Sequence, residues 1–171
     1  MDEIINKIEK SVLITLDLED VYPKEKRVLF DLKDYLYEGL ILREKEFREN
    51  LSKLDWKIYE NTYVAVTCTT DAIVPSWSYL LIATYLTGVA KLVSFGSLED
   101  LERDIYTEII KKMDLEIYQD KKIIIKGCSR KPVPQNAYLQ LIQKLKPVAS
   151  SLMFGEACST VPIYKKKAFK L

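Results

Sequence analysis

The stretch "VPSWSYLLIATYLTGVAKLVSFG" at 74–96 returns, altered but recognisable, as "VPQNAYLQLIQKLKPVASSLMFG" at 133–155. Laid over 74–97 and 133–156 without a gap, the two share nine identities in twenty-four positions: Val74-Pro75 with Val133-Pro134, Tyr79-Leu80 with Tyr138-Leu139, Leu86 with Leu145, Val89-Ala90 with Val148-Ala149, and Phe95-Gly96 with Phe154-Gly155. Proline is favoured at the first position of a helix, where its missing N–H costs nothing, so Pro75 and Pro134 each start one. Each copy closes on a short apolar run, "KLVSFG" at 91–96 and "SLMFGE" at 151–156, of the kind that forms a buried parallel strand. Matching runs stand upstream, "YVAVTC" at 63–68 and "KIIIKGC" at 122–128. Between the copies, Leu98, Leu101, Ile105 and Ile109 recur at helical spacing.

The order β-α-β-α-β-α-β predicts an α/β fold with a mostly parallel sheet and helical crossovers. The internal likeness reads as a duplicated β-α-β unit, 62–97 and 122–156. In a doubly wound sheet the two halves meet at their first strands, which predicts the order 2-1-3-4 for these C-terminal four strands and a ligand site beyond their carboxyl ends. Upstream, "SVLITLDLED" and "KRVLFDLKDYL" alternate apolar and polar residues around "VYPKEK" and read as an N-terminal antiparallel pair. The segment "REKEFRENLSKLDWKIYE" follows, a helix with Phe47, Leu51, Leu54 and Ile58 on its inner side. A mixed sheet with helices on one face is the alternative architecture. No Pro/Gly/Ser-rich linker divides the chain, so 1–171 reads as a single domain, 1–60 being the hairpin and helix and 61–171 the duplicated core.

Composition narrows the function classes. The 171 residues are 48% hydrophobic and 30% charged with a net charge of +1, which offers no field to draw nucleic acid or an anionic membrane. The chain shows no signal-peptide pattern and no apolar run of membrane-spanning length, and is expected in the cytoplasm. Histidine is absent, which removes the commonest general base and the commonest metal ligand. Five dispersed glycines form neither a dinucleotide-binding nor a phosphate loop.

All three cysteines sit in similar loops: Cys68 in "CTTDAIVP" (68–75), Cys128 in "CSRKPVP" (128–134) and Cys158 in "GEACSTVP" (155–162). Aligning Cys68 with Cys128 takes one residue of slip. Around a switch point the three sulfurs would lie within about 8 Å of one another, close enough to share a metal after side-chain rotation. Thiolates suit zinc, Cu(I) or iron, including iron–sulfur clusters, and the fourth ligand could be Glu156, Asp71, water or a donor from a partner. The same thiols also admit redox or sulfur-transfer catalysis, with Cys128 as nucleophile beside Lys126, Arg130 and Lys131. The third reading is an interaction module whose free cysteines are small buried hydrophobes.

The segments "LITLDLEDVYP", "EGLILREKEFRE", "DAIVPSWSYLL", "KGCSRKPVP" and "MFGEACSTVPIYKKK" resemble those of a Bacteroidetes family, the domain of unknown function 2480 (DUF2480), over nearly the whole chain. The resemblance brings no established activity and no catalytic residues to carry over. It implies an association with iron–sulfur assembly proteins as partners, which agrees with a thiolate site.

Overall fold

The computed structural model describes residues 13–127, 130–156 and 158–167. Its strands are β1 (Leu13–Leu16), β2 (Arg27–Asp31), β3 (Tyr63–Thr67), β4 (Leu92–Phe95), β5 (Lys122–Ile125), β6 (Ser151–Glu156) and β7 (Ser159–Lys165). Its α-helices are α1 (Glu44–Lys53), α2 (Ser76–Leu86), α3 (Leu98–Lys112) and α4 (Gln135–Leu145). The chain forms two compact units, one of residues 23–105 and one of the described residues up to 22 and from 106 onward.

In the unit 23–105 the sheet order is β2-β3-β4, all parallel, with Phe30↔Val66 and Val66↔Phe95 among the paired residues. β-branched and small residues make β3 a fully covered central strand, with Val64, Ala65 and Val66 all buried. Helix α1 opens with Glu44 and Glu46 and ends with Lys53, charges that complement its dipole, and it buries Phe47 and Leu51 one turn apart. Phe47 and Leu51 join Phe30, Val64, Val66 and Ile82 in one apolar cluster, so α1 and α2 pack against the same sheet face.

The other unit has the order β1-β5-β6-β7, parallel through β6 and antiparallel between β6 and β7. Tyr106 and Ile110 of α3 and Leu141 of α4 pack on Ile123, Ile125 and Leu152. The Tyr106 hydroxyl, buried with its ring, donates to the carbonyl of Leu18 at 3.0 Å.

The architecture is mixed α/β with mostly parallel sheets and one antiparallel pair, and it corrects the expected topology. The four C-terminal strands do not form one sheet of order 2-1-3-4. β2 occupies the side of β3, and β1 the side of β5, where the two halves would have met, so β3 and β5 are not neighbours and no switch point forms between them. For the same reason β1 and β2 are not an antiparallel hairpin. Each joins a different sheet in parallel, and alternation of apolar and polar residues is the same for either direction of pairing. The expected long helix after residue 43 is also shorter. Leu54 turns extended after α1, Asp55 accepts from the Lys57 N–H to start a separate turn of 3₁₀ helix, and Ile58 is exposed.

The likeness between the segments differs in form from the expected duplication. The offset of 59 that takes Val74 to Val133 takes the first residue of α2 to that of α4, and Val66↔Phe95 to Ile125↔Phe154, without slip. It therefore places Gly127, not Cys128, at the counterpart of Cys68. The same offset holds upstream of the expected boundary. It pairs the buried residues Phe47 with Tyr106 and Tyr59 with Tyr118, and Asn61 (φ 56°) with Asp120 (φ 54°). Asp55 and Asp114 correspond too, and each accepts from the N–H two residues on. The likeness stops at β7, which has no counterpart in the unit 23–105 among the described residues.

Candidate functional site

The carboxyl end of the β2-β3 pair is organised by Asp31. Its carboxylate accepts from the Lys33 N–H at 3.0 Å, the Thr69 N–H at 3.1 Å and the Thr69 hydroxyl at 2.5 Å, and the Lys33 ammonium lies 3.3 Å away. Burial raises the pKa of this group, but the hydrogen bonds from Thr69 and Lys33 outweigh it and hold it below the usual carboxylate range. Nearby, the pKa of Tyr79 is raised by burial first, then by the charges of Cys68 and Asp31.

In the other unit, Asp17 follows β1 as Asp31 ends β2. It accepts from the Glu19 N–H at 2.9 Å and pairs with Lys126 at 3.1 Å. The hydrogen bond to Asp17, the Asp17 charge, and the charges of Glu156 and Asp20 raise the pKa of Lys126. The backbone N–H groups of Arg130 and Lys131 both face the Glu19 carboxylate. Each of the two carboxyl ends thus carries carboxylates whose hydrogen bonds tie described residues of neighbouring segments together.

The expected thiolate residues fall in separate places. Cys68 is half-buried just beyond β3, its sulfur 3.5 Å from the Thr70 hydroxyl and 3.7 Å from the Thr70 carbonyl. Cys158 is exposed at the turn between β6 and β7, in the other unit, and Glu156 ends β6 beside the charge of Lys126. Cys128 lies outside the described residues. Among the described residues no group of three His, Cys, Asp or Glu side chains is placed to hold a metal ion.

The unanticipated surface is at the other edge of the unit 23–105. β4 is the last strand of its sheet among the described residues. Phe95, meeting Tyr79 edge to face at 5.1 Å, is 71% exposed. Its counterpart Phe154 meets Tyr138 the same way at 5.7 Å and is paired across the ladder with Val161 of β7. Helix α2 beside β4 carries no charged residue at all, and its outward stripe is Ser76, Leu80 and Thr84, continued by Thr87 just past its end, with Leu80 68% exposed. The counterparts on α4 are Gln135, Leu139, Gln143 and Lys146. Beside them, Leu139, Ile142, Phe154 and Ile163 line an apolar cleft of about 430 Å³. One signal in the sequence marked this surface, the absence of charge from "SWSYLLIATYL".

Residues 2–166 match the family model described as "Protein of unknown function (DUF2480)". The chain belongs to this family. No curated protein and no solved structure matches it. No helix of the described part of this DUF2480 chain is long and apolar enough to cross a membrane.

Proposed function

We propose that this DUF2480 chain is an interaction module that docks another protein surface on the uncharged side of α2 next to the edge strand β4. The observation that carries the reading is the outward stripe of α2. A helix on the surface of a soluble unit ordinarily turns a charged or strongly polar face to water, and one apolar all round is ordinarily covered. Here Ser76, Leu80, Thr84 and Thr87 face outward with no charge on the helix, next to the exposed Phe95. In the other unit, where β7 covers the corresponding edge, the same stripe carries two glutamines and a lysine. Leu139 is as exposed as its counterpart Leu80, so what sets this edge apart is the exposed Phe95 beside a helix without charge, an apolar patch of the kind a binding face presents.

The thiolate reading, with zinc or iron and iron–sulfur assembly partners, draws no support from the described residues, where Cys68 and Cys158 belong to different units. The docking reading is tested by placing a photo-crosslinking amino acid at position 80 in the cells that make the protein, with position 139 as control. A discrete adduct from position 80 and none from 139 supports it. Equal labelling at both positions, or none at either, refutes it.

A further inference from the structure

We infer that the surface docked on β4 and α2 is the same surface of a second copy of this chain, the two edge strands pairing antiparallel about a twofold axis at Ser94. The inference rests on the docking reading above and names its partner.

The direction of the backbone groups makes the pairing possible. Gly96 donates its N–H to the Val66 carbonyl at 3.0 Å, and the register sets Ala65 opposite Ser94. Alternation along the strand then turns Leu92 and Ser94 toward β3, and the N–H and C=O groups of Val93 and Phe95 toward the free edge. With the axis at Ser94, Val93 of each copy stands opposite Phe95 of the other. They exchange both backbone hydrogen bonds as a hydrogen-bonded pair, and their side chains lie on one face. An axis between Val93 and Ser94 is excluded by parity, since it would set residues of opposite faces against each other.

The chain already contains the model for this contact. In the other unit Phe154, the counterpart of Phe95, is paired antiparallel with a valine, Val161. The twofold arrangement reproduces a phenylalanine facing a valine, with the valine supplied by the second copy. Charge is complementary as well. Lys91, which also pairs with Glu25 of its own chain, precedes β4, while Glu99 and Asp100, the latter paired with Arg103, stand in the first turn of α3 after it, so antiparallel pairing brings the lysine of each copy toward the Glu99 end of the other.

The pairing also accounts for α2. Val93 and Tyr79 pack on the cluster shared by α1 and α2, and Trp77 of α2 meets Phe47 of α1 at 6.0 Å. α1 therefore flanks α2 on one side, and the side toward the β4 edge is the one left open. Across the axis the two α2 helices come to lie side by side on one face of a continuous six-stranded sheet. Leu80, with the small Ser76 and Thr84, faces its own image. Small uncharged residues there permit close approach of the helices, which Gln135, Gln143 and Lys146 of α4 do not.

Sedimentation equilibrium of the full chain over the micromolar range tests this. Wild type is expected at twice the monomer mass. Leu80→Lys sets two ammonium groups against each other and is expected to weaken association at least tenfold. Val93→Pro removes one outward N–H, a change an edge strand tolerates, and is expected to do the same. Leu139→Lys is expected to change nothing, and circular dichroism establishes that each variant is folded. A wild type that stays monomeric overturns the inference, as does a dimer indifferent to both Leu80→Lys and Val93→Pro. A monomer that still yields a crosslinked adduct at position 80 removes the second copy as partner while leaving the docking reading intact.

Discussion

Phe154 stands across the antiparallel ladder from Val161, whereas Phe95, its counterpart in the other unit, pairs with Val66 on one side and has no strand on the other among the described residues. The two phenylalanines occupy equivalent positions and meet equivalent tyrosines in the same edge-to-face geometry; Phe154 is covered further by β7 and by the close approach of its ring to Gly127, whose counterpart is Cys68.

That difference predicts unequal costs for the same substitution. Phe154→Ala removes a ring packed between α4 and β7 and is expected to cost about 2–3 kcal/mol, below the full range for a buried phenylalanine because the ring is only partly covered. Phe95→Ala loses chiefly the contact with Tyr79, about 0.5–1.5 kcal/mol. Urea unfolding of dilute protein, below the range where chains associate, gives both values. Equal costs would contradict the account of the edge.

Asp31 sets a second expectation. Replacing it with Ala leaves the Thr69 and Lys33 N–H groups without their acceptor and is expected to cost about 1–3 kcal/mol. Its pKa is lower in the folded chain than the unfolded value of about 3.9. Its contribution is therefore complete above that value and lost as pH falls through the folded one. Stability measured between neutral pH and pH 3 should fall less steeply at the acid end in Asp31→Ala than in wild type. An unchanged acid slope would contradict this role of Asp31.

Two equivalent glycines should respond to different neighbours. Gly155 has φ 126°, and a Cβ there would lie 2.4 Å from the Ser159 carbonyl oxygen of β7, whereas one at Gly96 (φ 119°) would meet the Asp100 carboxylate at 2.4 Å. A side chain can rotate away, but a backbone oxygen held in the ladder cannot. Gly155→Ala is expected to destabilise more than Gly96→Ala in thermal unfolding, both carrying the strain of about 1–3 kcal/mol that so positive a φ imposes on a non-glycine residue.

Thiol reactivity separates the cysteines without reference to any metal. Cys158, exposed at its turn, should be alkylated before half-buried Cys68, as followed by peptide mass spectrometry. Elemental analysis of protein purified without oxygen accompanies it. Stoichiometric zinc or iron would support the three-cysteine site.

The strand, helix and strand of each copy were legible because their signals are local: prolines at 75 and 134 mark the helix starts, and short β-branched runs the strands. The sheet order was not, because it depends on which strand lies beside β3 and β5. That choice belongs to "LITLD" and "VLFD", whose alternation suits parallel and antiparallel neighbours equally. The expected cysteine site was argued from that switch point, and the observed sheet order takes this premise away. Asp17 and Asp31 were readable as a pair, since each is followed by leucine and, two places further on, by another aspartate. The open edge was not readable, since it depends on where β7 pairs, which no local signal near Phe95 or Phe154 reports.

The most direct test of the docking surface is hydrogen exchange at the Val93 and Phe95 amides, which point out of the sheet. The account predicts that both exchange slowly in wild type under associating conditions and quickly in Leu80→Lys, while the Val64 and Val66 amides inside the sheet stay protected in both. Fast exchange at Val93 and Phe95 in wild type under those conditions would contradict it.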